Sequence, residues 1–159
     1  MRNAVLIVTI ILGSIVLASQ AGGGSDLDEA AIEKAVLAAH AKMGEAEQAL
    51  DVEKFFQSIP DFDTGLIIQD GTLFKTRQEA LNTVRAGFQG VTKIERTYTQ
   101  KYVTVLSPET AVLTASGTSS VTLLDGRTLS GPFAASMVFV LRDGQWRLLQ
   151  GHYSAPNPQ

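Results

Sequence analysis

Gln145 to Ser154 form an alternating run, and side chains of a strand alternate with period two. Trp146, Leu148, Gln150, His152 and Ser154 therefore share one row. An aromatic, an aliphatic, an amide, an imidazole and a hydroxyl together suit the wall of a half-polar pocket better than a dry core. His152 carries the chemistry of that row, because an imidazole titrates near neutrality and can shuttle a proton or donate to a carbonyl. Its bland alternative is a histidine satisfied by a neighbouring strand. Trp146 reads first as a core aromatic and second as pocket wall. Asp61 and Asp63 are carboxylates that either serve as a base or merely cap and turn the chain. Tyr98 shares a row with Ile94, Arg96, Gln100 and Tyr102. With that row inward, Tyr98 and Gln100 line the interior and Arg96 sits near its mouth. The opposite register buries Thr97, Thr99, Val103 and Val105, and a bulge in so long a strand can switch faces midway.

Several chemistries are excluded or unsupported. The chain has no cysteine, so disulfides and thiolate metal sites are ruled out. His40 and His152 are the only histidines and form no metal-ligand spacing. No phosphate loop, nucleophile elbow or dinucleotide fingerprint is present, and no cofactor is expected. Residues 1–21 read as a signal peptide: Arg2, an apolar run from Ala4 to Ala18, then Ser19-Gln20-Ala21 for cleavage after Ala21. That run is short of the roughly 20 residues needed to span a bilayer. The expectation is a secreted or periplasmic protein with no stable membrane span after processing. Loss of Arg2 takes the basic count from 13 to 12 against 16 acidic residues, a net charge of −4. With no basic cluster, nucleic acid is not an expected partner.

The elements that must position these residues follow from periodicity. Residues 22–26 are a glycine-rich tether. Ser25 or Asp26 can cap a first helix, with Asp28 or Glu29 as reciprocal partner. Its apolar stripe is Ile32, Val36, Ala39, Met43, Ala46 and Leu50. Asp51 caps a short second helix that Pro60 ends. Asp70-Gly71 marks a hairpin, and Thr76 with Glu79 makes a capping box for a third helix ending near Gly90. Four alternating runs follow, at 92–106, 110–123, 128–141 and 145–154, separated by short polar turns. The layout is α+β, with three helices on one face of a curled antiparallel sheet.

In the second long strand Ala111, Leu113, Ala115, Gly117, Ser119, Val121 and Leu123 face inward, opposite a Thr/Ser row. The small midline Ala115-Gly117-Ser119 either leaves volume unfilled or packs tightly against a helix. Val138, Val140, Leu149 and Tyr153 make the outer face partly apolar, and strands apolar on both sides are usually covered on both sides. A homodimer through that face is the economical expectation.

The order of elements and the ending Asp143-Gly144-x-Trp146 followed by His152-x-Ser154 resemble the nuclear transport factor 2-like superfamily, within it the SnoaL-like group. The resemblance covers about residues 27–156, leaving 157–159 as a tail. It implies a cone in which the bent sheet wraps the helices around a cavity, used by ketosteroid isomerases, polyketide cyclases, dehydratases, ligand binders and dimerisation modules. By layout, Asp63 stands nearest the carboxylate base of the isomerases. Their tyrosine has no counterpart on the first helix, where His40 is the only polar stand-in.

The leading expectation is an exported binder of a small, mainly apolar molecule bearing a carbonyl or hydroxyl, contacted by Asp63, Tyr98, Ser119, Trp146 and His152. The alternative is an isomerase or lyase acting next to a carbonyl, with Asp63 or His152 as base and Tyr98 as oxyanion donor. A third is an interaction module whose cavity is filled.

Overall fold

The computed structural model describes residues 28–61 and 67–156. The expected signal segment, the tether, Asp63 and the tail at 157–159 lie outside the described residues.

Each helix starts where a side-chain oxygen takes over an amide that the helix leaves without a partner. For α1 (Glu29–Gln48) that residue is Asp28, which accepts from the Ala31 amide at 2.9 Å. The cap therefore lies two or three residues later than Ser25 or Asp26. Asp51 accepts from the Lys54 amide at 3.0 Å and starts α2 (Val52–Gln57). The capping box expected at α3 (Arg77–Gln89) is present: Thr76 Oγ1 accepts from the Glu79 amide at 3.1 Å, and Glu79 Oε2 accepts in return. Arg77 then ties α3 to the end of α2, donating to Phe56 O at 2.7 Å and Ile59 O at 2.9 Å.

Six strands form one sheet: β1 (Ile67–Gln69), β2 (Thr72–Phe74), β3 (Val91–Ser107), β4 (Thr110–Leu123), β5 (Thr128–Arg142) and β6 (Gln145–Ser154). Their spatial order is β2-β1-β6-β5-β4-β3, antiparallel throughout except that β1 runs parallel to β6. Asp70-Gly71 and Asp143-Gly144 both take positive φ, as the tight hairpin turn requires. The α+β layout is as expected, a curled, unclosed sheet around three helices. Val36, Phe56, Leu113, Met137, Phe139 and Leu148 are the largest fully buried side chains and join helices to sheet. Burial of each stabilises the fold by roughly 1.5–3 kcal/mol.

Two of the sheet's register shifts decide how the site residues face. In β3 the pairing steps from Tyr98↔Gly117 to Gln100↔Ser116, leaving Thr99 as the extra residue. Ile94, Arg96 and Tyr98 face the concave side before it; Lys101, Val103 and Val105 share that side after it. Both registers weighed from sequence are thus realised in succession, and Gln100 turns outward. In β6 Leu149 is the extra residue, between Gln150↔Val138 and Leu148↔Phe139. Leu148 is buried before the bulge, and Gly151 is buried with Tyr153 on its side after it.

Candidate functional site

A cavity of about 430 Å³ lies between the concave sheet face and the helices. Pockets for small molecules run from roughly 300 to 1,000 Å³. One face of α1 supplies His40, Met43, Gly44 and Glu47, spaced i, i+3, i+4 and i+7. From α3 come Val84, Gly87 and Phe88, and the sheet adds Arg96, Tyr98, Ser119, Phe133 and Tyr153. Gly44 and Gly87 are helix-interior glycines, each costing about 1 kcal/mol of helix stability relative to alanine. A Cβ at either would meet nothing within 4 Å, so both keep volume open.

Arg96, Tyr98 and the side chains they meet form a polar band along the cavity wall. Arg96 holds Glu47 bidentately, Nε to Oε2 at 2.7 Å and Nη2 to Oε1 at 2.6 Å. The two side chains are 25% and 14% exposed. The Arg96 guanidinium also lies over the Phe133 ring, 5.3 Å from its centroid. Burial opposes its charge, but the hydrogen bond to Glu47 and the attraction of that carboxylate outweigh it, raising the Arg96 pKa.

Next along the band, Tyr98 Oη is 3.3 Å from His40 Nε2. His40 is 6% exposed, and burial, with the nearby Lys101 and Arg96 charges, lowers its pKa from 6.5 to about 4. His40 is therefore neutral at physiological pH. Burial also raises the Tyr98 and Tyr153 hydroxyls above the usual tyrosine range. His40 Nδ1 is buried without a hydrogen-bond partner. A proton on Nδ1 would be an orphaned donor, whereas a bare nitrogen leaves only an idle lone pair; buried orphan donors are the rarer case. That favours His40 donating from Nε2 to Tyr98 Oη, which frees the phenol proton for a ligand.

The residues expected from sequence separate here. Tyr98 and Ser119 line the cavity. His152 does not: Leu149 reverses the alternation, so His152 is exposed and stands in register with exposed Ser136. Tyr153, assigned from sequence to the outer face, lines the cavity instead. Its ring leans over Gly151, where a Cβ would come within 2.9 Å of Tyr153 Cε2. Trp146 packs against the hydrophobic core and is not a lining residue. Asp63 lies outside the described residues. Asp61 is exposed, 3.8 Å from Arg77 Nε. The midline reading holds only at Ser119. Gly117 is packed against the β3 backbone, and Ala115 is buried beside the core.

Sequence reasoning did not bring Glu47 forward at all, and it treated His40 and Arg96 only in passing. The His40-Met43-Gly44-Glu47 spacing on α1 is the signal that points to His40 and Glu47. Among the described residues, no three His, Asp or Glu side chains stand close enough to hold a metal ion. Among them, too, no helix is long and apolar enough to cross a membrane.

The model of the SnoaL-like domain matches residues 36–158. The chain belongs to the SnoaL-like domain family. No curated protein matches it in sequence. Solved structures share the SnoaL-like fold. A nuclear transport factor 2-like superfamily protein of Salmonella enterica serovar Typhimurium is 14% identical, with TM-score 0.69 over 82% of this chain and 94% of that one. A Novosphingobium aromaticivorans protein provisionally named a scytalone dehydratase is 10% identical, with TM-score 0.70 over 81% and 87%. A provisionally named dehydratase of Streptomyces avermitilis is 19% identical, with TM-score 0.68 over 79% and 97%. At these identities the likeness is one of fold.

Proposed function

We propose that this protein binds a small, mainly apolar molecule bearing a carbonyl or hydroxyl oxygen inside the cone. The observation that carries the reading is the cavity itself. Apolar side chains of Met43, Phe55, Val84, Phe88, Val121 and Phe133 surround a polar band in which His40, Tyr98 and Tyr153 stand beside the Glu47–Arg96 pair. Such a wall desolvates a carbon skeleton, while Tyr98 and Tyr153 supply oriented hydroxyls. An open interior of this size argues against a filled interaction module.

Two solved structures of this fold carry dehydratase names, so proton transfer in the same cavity is the second reading. Against it, a histidine with a pKa near 4 is a weak base and a phenol pushed upward is a weak acid. We further infer export through residues 1–21, and pairing of two copies through the outer sheet face, where Tyr102 is 60% exposed and Val112 opposes Val138.

Native mass spectrometry of protein recovered from its host's envelope tests binding, export and pairing together. The expected species is a dimer of chains beginning at Gly22, carrying a small molecule that a Gly44→Phe variant no longer retains. An empty protein that also fails to take up an apolar ketone such as 2-acetylnaphthalene would overturn the binding reading.

A further inference from the structure

The Arg96 edge formed by Nε and Nη2 is one of the two on a guanidinium that can grip a carboxylate with two parallel hydrogen bonds. In this protein the chain's own Glu47 occupies it, with both carboxylate oxygens engaged. Both residues line the cavity, and neither is fully exposed. The other charged groups are placed differently. Lys101 Nζ sits 3.9 Å above the Tyr98 ring and is not a lining residue. Asp70 lines the cavity from the exposed β1–β2 turn, where its Oδ1 accepts from the Ala155 amide at 3.0 Å. Among the described residues, the interior of the cavity therefore holds one cation and one anion, each spent on the other.

We propose that Glu47 sets the charge selectivity of the cavity: by filling one bidentate edge of Arg96 and neutralising its charge it restricts the ligand to uncharged molecules, and without it the site becomes a carboxylate receptor. The proposal rests on the binding reading above and narrows it to neutral ketones, esters, alcohols or phenols. A ligand carboxylate would have to displace Glu47 or be buried as a second anion beside one guanidinium. A neutral carbonyl needs only a hydroxyl donor, which Tyr98 provides. The converse also follows. With Arg96 neutralised by substitution, Glu47 faces the cavity as an uncompensated anion and selects an ammonium group.

Three probes of one skeleton test this by equilibrium dialysis and titration calorimetry: 2-acetylnaphthalene, 2-naphthoate and 2-naphthylmethylammonium. The wild type is expected to bind the ketone at least about tenfold more tightly than either ion. Glu47→Gln should invert the order toward naphthoate by a similar factor, and Arg96→Gln should do so toward the ammonium, since charged hydrogen bonds are about twice as strong as neutral ones. The Glu47→Gln/Arg96→Gln double variant should again prefer the ketone. Should Glu47→Gln fail to fold, the Arg96→Gln arm decides alone. Binding of the ketone with an unchanged preference in the folded single variants overturns this inference and leaves the binding reading standing. Binding of none of the probes by the wild type at millimolar concentration overturns both.

Discussion

Tyr98 and His40 meet edge-on across the concave face, ring planes at 75° and the phenol oxygen 3.3 Å from Nε2. Lys101 caps the same Tyr98 ring and Arg96 stands one alternation away, so a protonated His40 would face two cations in a buried site. The native protein therefore keeps His40 neutral down to about pH 4, whereas the unfolded chain protonates it near 6.5. A base whose folded pKa is depressed contributes full stability above the unfolded value and loses it as pH falls toward the folded value. Stability should decline between pH 6.5 and 4 by roughly 3 kcal/mol in total. Urea denaturation from pH 7 down to about pH 5, above most carboxylate titration, should show the slope in the wild type and its loss in His40→Asn. Equal slopes in both would remove His40 as the cause.

The two tyrosines of the band should affect binding more than folding. Each hydroxyl is worth about 1 kcal/mol to a bound oxygen, or roughly a fivefold change in affinity. Tyr98→Phe and Tyr153→Phe are each expected to weaken 2-acetylnaphthalene binding by about that factor. His152→Ala and Trp146→Phe should leave the affinity unchanged. A loss on changing exposed His152 equal to that of Tyr98→Phe would contradict the inward placement of Tyr153.

Gly44 and Gly87 offer a gain in stability at the expense of the cavity. Alanine restores helix propensity, and neither new methyl meets an atom within 4 Å. Gly44→Ala and Gly87→Ala should each raise stability by about 0.5–1 kcal/mol. Larger residues at the same positions should abolish ligand uptake while the protein stays folded. Thermal melts and dialysis on one set of variants read both effects, and destabilised alanine variants would show that these glycines do not simply hold space open.

Those glycines also show where the sequence was legible. The helices, the Asp-Gly turns and the four long strands were readable to within a few residues, because caps and two-fold alternation are local signals. Facing was not. A bulge is one inserted residue without a composition signal of its own, and it reverses every later side chain. Thr99 moved Gln100 out, and Leu149 exchanged His152 for Tyr153. The Glu47–Arg96 pair joins residues 49 apart in sequence, and the facing of α1 against β3 became visible only in the fold. Tyr98 was legible because it precedes the bulge at Thr99.

Gly117 gives the sharpest test of the curled sheet itself. It looks like a cavity-forming residue, yet the bulged β3 crosses so closely that a methyl group would run into the Thr97 carbonyl and lie 2.9 Å from Tyr98 Cα. Both neighbours are backbone, so neither can swing aside, and β3 must shift together with the Arg96 and Tyr98 side chains it carries. Gly117→Ala should cost about 3 kcal/mol or more, at the upper end for an overpacked site. Gly131→Ala is the matched control: Gly131 pairs with Ser119 on the other edge of β4, where a Cβ meets nothing within 4 Å. Its effect should stay within about 1 kcal/mol. Because β3 holds the polar band, Gly117→Ala should also weaken ketone binding more than Gly131→Ala does. Equal melting temperatures for the two variants would mean that β3 does not press on β4 at the bulge, and the inward aim of Tyr98 would lose its structural cause.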